Sequence, residues 1–229
     1  MIKVKAPGKL YIAGEYAVVE TGCPAILVGL NKYVYVSIED SKDFGTIISK
    51  QYENSTVVWK RRGEHMVIDN RDNPFEYILS GIRITEQYAQ ELGKKMRCYD
   101  LKIDSELDSP SGKKYGLGSS AAVTVATVKA LCQYYGLNVT LDQLFKLAAI
   151  AHFEVQGNGS LGDIATSVFG GWLEYHSFDR QWLKTARHNY SLSELLAKNW
   201  PGLKIKSLPV FDRLNLLIGW TGSCLLYTS

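Results

Sequence analysis

Gly116-Leu117-Gly118-Ser119-Ser120-Ala121-Ala122-Val123 is the stretch on which the reading of this chain turns. Two glycines one residue apart, two hydroxyls, and then a long apolar run of helix formers describe a backbone turn that feeds a helix N-terminus. Such an end presents N–H groups without intrahelical partners and the positive pole of the helix dipole, which suits an anion. Glycine lets the backbone curl toward phosphate oxygens, and a serine hydroxyl adds a donor or a ligand for Mg2+. The plainer alternative is that Ser119 or Ser120 simply caps a buried helix. The pattern is not a Walker A loop, because no Gly-Lys-Ser or Gly-Lys-Thr follows at the required spacing. A nucleotide bound here therefore needs a cation from elsewhere in the chain.

Outward from this stretch, Ala121 to Tyr135 is apolar on nearly all sides, the pattern of a helix that runs through the interior. Thr140 and Gln143 form a capping box for another helix from Leu141 to about Gln156, which Gly157 ends. Asn73, Pro74 and Glu76 read as N-cap, N1 and N3 of a helix whose apolar face includes Phe75, Ile78, Leu79, Ile82, Ala89 and Leu92, with Gly93 as the stop. Strand patterns occupy Ile2 to Ala6, interrupted by Pro7-Gly8, then Leu10 to Val19, Ala25 to Leu30 and Tyr33 to Ile38. Weaker ones follow at Thr46 to Ser49, Thr56 to Lys60 and Met66 to Asp69, with Asp100 to Asp104, Gly171 to Tyr175 and Leu214 to Thr221 further on. Asp108 to Tyr115 reads as a polar loop and Ser191 to Lys198 as a short helix. Antiparallel pairing of the first strands is expected.

Gly157-Asn158-Gly159-Ser160-Leu161-Gly162 matches G-x-G-x-x-G, the dinucleotide fingerprint. That fingerprint needs a strand before it, and a capped helix precedes it here, so the Rossmann reading is set aside. Asp163 follows directly. A carboxylate at such a turn is ordinarily a helix cap.

The chain has 229 residues, 46% hydrophobic and 21% charged, enough to bury a core. A net charge of +3 with short, dispersed basic clusters (Lys60-Arg61-Arg62, Lys94-Lys95) argues for a solvated surface and against a nucleic-acid stripe. Cys23, Cys98, Cys132 and Cys224 show no C-x-x-C spacing, and no 18-residue apolar run occurs, so neither structural zinc nor a membrane partner is expected. A reducing cytoplasm fits best.

Three separated pieces resemble the GHMP family of small-molecule kinases. Ala6-Pro7-Gly8-Lys9-Leu10-Tyr11-Ile12-Ala13-Gly14-Glu15-Tyr16 resembles its first motif, Gly116 to Ala122 its phosphate loop, and Gly157 to Asp163 the segment bearing its catalytic aspartate. Within the family the likeness is greatest to the branch that phosphorylates 5-phosphomevalonate. Members acting on mevalonate typically carry histidine where Tyr16 stands and Asn-Pro-Ser-Gly-x-Asp where this chain has Asn158 to Asp163.

The resemblance implies an α+β fold: a ribosomal protein S5 domain 2-like N-terminal domain over 1–185 with a left-handed β-α-β unit, then an incomplete ferredoxin-like domain over 186–229. It implies transfer of the ATP γ-phosphoryl group to 5-phosphomevalonate, with Mg2+. By the match, Gly116, Leu117, Gly118, Ser119, Ser120 and Ala121 hold the ATP phosphates, Ser120 is a Mg2+ ligand, and Lys9 and Asp163 face the transferring group. His152 falls near the place of the family's metal-binding glutamate, with Glu154 as a substitute ligand. After Ser223 the family pattern stops, so residues 224–229 are expected to be foreign sequence and the chain to lack useful activity. The competing functional readings are a mevalonate kinase, in which Asp163 is a general base, and a silent nucleotide-binding member of the fold.

Overall fold

The structure, a computed structural model, describes residues 1–50, 55–68, 75–107, 115–210 and 216–219. Eight strands form one sheet in the order β5-β4-β3-β6-β2-β7-β8, with β1 beside β2. The strands are β1 (Ile2–Ala13), β2 (Pro24–Asp40), β3 (Gly45–Ser49), β4 (Ser55–Arg62), β5 (His65–Ile68), β6 (Tyr99–Ser105), β7 (Trp172–His176) and β8 (Lys204–Leu208). The helices are α1 (Glu76–Glu91), α2 (Ser119–Tyr134), α3 (Leu141–Gln156), α4 (Gly162–Phe169), α5 (Arg180–Asn189) and α6 (Leu192–Ala197). The architecture is α+β, as the sequence implied.

The spine is β2, 17 residues long. One of its edges pairs antiparallel with β1 along nearly the whole length. The other edge is shared: Pro24 to Val28 pair with β7 and Val34 to Asp40 with β6, both antiparallel. The two expected strands Ala25 to Leu30 and Tyr33 to Ile38 are thus one. Alternation explains the burial, since Val34, Val36 and Ile38 point into the core while Tyr33, Tyr35 and Ser37 lie on the other face. The β3–β6 pair is parallel, and the connection between them carries β4, β5 and α1.

Helix α2 packs on β1 and β2, and α1 and α3 pack on α2. Ala121, Val125, Val128 and Leu131 of α2 are essentially inaccessible, as are Phe145, Leu147 and Ile150 of α3. Truncating one of the larger of these to alanine removes about 2–5 kcal/mol, because the close-packed surroundings fill the gap only in part.

Several sequence expectations are corrected. Pro7-Gly8 does not end the first strand; β1 runs through with register shifts between Pro7 and Lys9, where the extra residues lie on β2, and between Tyr11 and Ala13, so irregular pairing replaces a break. Leu10 to Val19 is extended only to Ala13, and Ala17–Val19 is a turn of 3-10 helix after Gly14, whose φ is +80°. The cap at Asn73 and Pro74 lies outside the described residues; α1 is helical from Glu76, with Phe75 before it. The loop from Asp108 to Tyr115 is outside them except for Tyr115. Residues 216–219 form no strand, and the rest of the Leu214 to Thr221 prediction is outside the described residues. The helix α5 and the strand β8 were not foreseen. Residues 185 and 186 lie within α5, and β8 pairs antiparallel with β7. Among the described residues no helix is long and apolar enough to cross a membrane.

Candidate active site

Lys9 follows a register shift between β1 and β2, and it lies against the glycine loop. Its backbone N–H donates to the Leu117 carbonyl at 2.9 Å. A Cβ on Gly8 would stand 2.9 Å from that same oxygen and 2.7 Å from Leu107 Cδ2, so this contact demands glycine. Gly118 has φ +77°, and a Cβ on it would meet Lys9 Cγ and Cε at 3.1 Å. The lysine methylenes therefore lie across Gly118, at the mouth of α2.

That mouth is open. Gly118 is the N-cap and no side chain caps the helix; the first intrahelical bond runs from the Ala122 N–H to the Gly118 carbonyl at 3.0 Å. The Ser119, Ser120 and Ala121 N–H groups precede that bond, in the place where an anion is best stabilised. The reading of Ser119 or Ser120 as a cap is thereby removed, since both lie inside the helix. Instead, Ser120 Oγ is 3.3 Å from His152 Nε2 of α3. His152 is inaccessible to solvent and stacks on Tyr77 with ring centres 4.7 Å apart. Burial pushes its pKa down and the charge of Asp163 opposes that shift, so the imidazole is neutral at physiological pH.

Asp163 is the second residue of α4, and its Oδ1 accepts from the Ile164 N–H at 3.0 Å. The N-cap is Leu161, which is left-handed at φ +62° and almost fully buried. Asp163 is thus in the first turn and not the cap. A left-handed non-glycine residue costs about 1–2 kcal/mol, here offset by the fixed loop before it. The Tyr175 hydroxyl donates to the Ser160 carbonyl at 2.5 Å, and Ser177 Oγ to the same oxygen at 3.1 Å. Arg180 joins Gly159 and Val19 through their carbonyls at 3.1 and 2.7 Å, clamping this loop to the segment after the first motif.

Tyr11 links Lys9 to Asp163. Its hydroxyl shares a hydrogen bond of 2.9 Å with Ser160 Oγ, and its ring lies 5.2 Å from Lys9 Nζ. A Cβ on Gly162 would stand 2.6 Å from the Tyr11 hydroxyl, so the phenol abuts the residue before Asp163. Burial, and after it the Asp163 charge, push the Tyr11 pKa up, which keeps the phenol protonated. Among the described residues neither Lys9 nor Asp163 is taken up in an ion pair.

The structure does not bring Glu154 to this site. It pairs with Arg83 and with Arg187, the latter at 3.0 Å, and lines a cavity of about 760 Å³ between α1, α3 and β5 that holds none of Lys9, Ser120 or Asp163. Two residues along a helix is a turn of roughly 200°, so His152 and Glu154 cannot face the same group. Tyr11 and Arg180 were missed. Period-two alternation from Lys9 could have found Tyr11; nothing local marks Arg180.

Residues 77–171 match the family model described as GHMP kinases N terminal domain. The chain carries a GHMP kinase N-terminal domain. In this domain the matched span includes Ser120, His152 and Asp163, while Lys9 and Tyr11 precede it. The phosphomevalonate kinase of Streptomyces sp. (strain CL190) is 37% identical over 227 residues, covering 95% of this chain and 60% of that protein. A Lin0012 protein from Listeria innocua superposes with TM-score 0.83 at 40% identity, over 91% of this chain and 57% of that one. The phosphomevalonate kinase of Streptococcus pneumoniae, in complex with phosphomevalonate and AMPPNP, superposes with TM-score 0.79 at 32% identity, over 90% and 59%. The chain thus spans about 60% of the length of these relatives.

Proposed function

We propose that this chain is the nucleotide-binding part of a phosphomevalonate kinase, which transfers the γ-phosphoryl group of ATP to 5-phosphomevalonate to give 5-diphosphomevalonate and ADP. The observation that carries the reading is the Lys9 contact: the backbone of Lys9 is bonded to the glycine loop and its side chain lies over Gly118, beside the uncapped end of α2. A cation is thereby fixed at an anion site that has no P-loop lysine. The likeness to two phosphomevalonate kinases supports the choice of acceptor.

The N–H groups of Ser119, Ser120 and Ala121 would receive phosphate oxygens. The donors present also suit Mg2+, which commonly takes one or two protein oxygens and leaves its other positions to phosphates and water. Ser120 Oγ and the Asp163 carboxylate would hold it; no cluster of three or more metal-binding side chains exists among the described residues. When bound, the metal neutralises phosphate charge.

The acceptor chemistry divides the work between the two charged residues. An oxygen of the acceptor phosphate bonds to the γ-phosphorus as the bond to the β-bridging oxygen breaks and ADP leaves. With a second pKa of roughly 6, a phosphate monoester is largely deprotonated at neutral pH, so no base is needed. The obstacle is repulsion between two polyanions. Lys9 serves as the counter-charge, and Asp163 orients the cations around it.

The test is kcat for Lys9→Met and Asp163→Asn in the full-length enzyme, each with phosphomevalonate and with mevalonate as acceptor. With phosphomevalonate, Lys9→Met is expected to lose about 10²-fold or more, and Asp163→Asn less. If Asp163→Asn proves the more severe lesion with that acceptor, Asp163 is a general base and the counter-charge account fails. Turnover of mevalonate alone would assign the site to a hydroxyl acceptor. Binding of ATP without turnover of either would mark a silent member of the fold.

A further inference from the structure

Ser120 is the residue of the α2 mouth whose side chain must be aimed, because its hydroxyl can take any of three staggered positions. Among the described residues the only side chain bonded to its Oγ is His152, through Nε2 at 3.3 Å. Three features of His152 point to a task beyond packing. It is wholly buried, although an aliphatic residue would fill a core position of α3 without a polar atom. Its other nitrogen, Nδ1, is buried with no hydrogen-bond partner among the described residues, an arrangement that packing alone does not favour. Its ring plane is set by the stacked Tyr77 of α1, with 30° between the planes. An imidazole nitrogen is also a poor ligand for a hard oxygen-seeking cation. Its route to the site is therefore through Ser120.

We propose that His152 is a positioning residue. Through Nε2 it fixes the Ser120 hydroxyl so that the free valences of Oγ face the phosphate and metal side of the α2 mouth, and Tyr77 holds the ring that does so. With the proton on Nε2, the ring donates to one lone pair of Oγ and leaves the second lone pair open to the cation. The inference rests on the nucleotide-kinase reading given above.

The experiment is a double-mutant cycle in the full-length protein, read as the affinity for a fluorescent ADP analogue with and without Mg2+, with thermal melting alongside. His152→Leu is expected to weaken Mg2+-dependent binding about tenfold, close to the loss from Ser120→Ala, and to leave metal-free binding unchanged. In the Ser120→Ala background, His152→Leu should add almost nothing, because residues acting through one another are not additive. His152→Gln, which restores a neutral N–H donor, should recover affinity to within about threefold. Tyr77→Ala provides a second entry if His152→Leu melts too low to measure: a smaller loss is expected, again abolished when Ser120 is absent. Additive losses, or equal loss with and without Mg2+, overturn the positioning role alone. Failure of the wild-type protein to bind the analogue overturns both this inference and the kinase reading.

Discussion

The N-termini of α2 and α3 are closed in opposite ways. At α3, Thr140 Oγ1 accepts from the Gln143 N–H at 3.2 Å and the Gln143 side chain accepts from the Thr140 N–H at 2.9 Å, a complete capping box. At α2 no side chain caps the end, and the chain enters through a left-handed glycine. The contrast extends to the other helices with fully described starts: α5 and α6 are capped by Asp179 and Ser191, whereas α4, which bears Asp163, enters through left-handed Leu161 without a side-chain cap. At α3, α5 and α6 the chain supplies its own acceptor, while α1 starts at Phe75 without a side-chain cap. At the two ends that face Lys9 and Tyr11 it supplies none, and both accept an unusual backbone conformation to keep the mouth clear.

The sharpest way to break the contrast is Gly118→Ala. The left-handed φ and the 3.1 Å approach to Lys9 should cost stability and displace the lysine, with nucleotide affinity falling about 10²-fold in calorimetric titration, or ~2.7 kcal/mol. Retention of full affinity would show that the open end is not the phosphate site. Next in size is Ser120→Ala, for which we expect about a tenfold rise in the Mg2+ concentration that half-saturates turnover, against about twofold for Ser119→Ala. Equal effects would remove the distinction between the two serines. Thr140→Ala tests the closed end: denaturant unfolding should show a loss of about 1 kcal/mol, with nucleotide affinity unchanged. Smallest is Glu154→Gln, which breaks part-exposed pairs with Arg83 and Arg187 and should cost at most about 1 kcal/mol without moving the Mg2+ dependence. A shifted Mg2+ dependence would return Glu154 to the metal site.

What the sequence disclosed follows the range of the interactions involved. Caps and stops are local, so the α3 box and its end at Gly157 were legible to the residue. So was the buried character of α2, which depends only on the absence of a polar face. The merging of two expected strands into β2 was not legible, because Leu30 to Lys32 have no β1 partner and only the pairing of Gly29 and Tyr33 with Lys9 and Pro7 on either side carries the strand through. The strand α-to-β connections after Asp163 were equally hidden: α5 has few apolar residues, and β8 exists because β7 offers it an edge. In the candidate site, Lys9, Ser120 and Asp163 could be named from the family resemblance, but the bridges between their segments could not. Tyr11 to Ser160 spans 149 residues and Arg180 to Val19 spans 161. The place of Glu154 beside Arg83 and Arg187 was hidden for a related reason: spacing along a helix does not state which side a residue faces until its neighbours are known.

The shared edge of β2 also sets a timetable for synthesis. The β1–β2 hairpin can close as soon as residue 40 is free, but the half of β2 from Pro24 to Val28 stays open on one edge until Trp172–His176 emerge. At about 5–20 residues per second, that wait is roughly 7–30 s. During that time the ribosome carries an unguarded β edge in the strand that pairs with Lys9. Nascent chains stalled before residue 172 should therefore be cut by protease near Pro24 to Val28, and chains released after residue 176 should resist. It follows that β7, made long after β1 and β2, decides when the first half of β2 is paired on both edges.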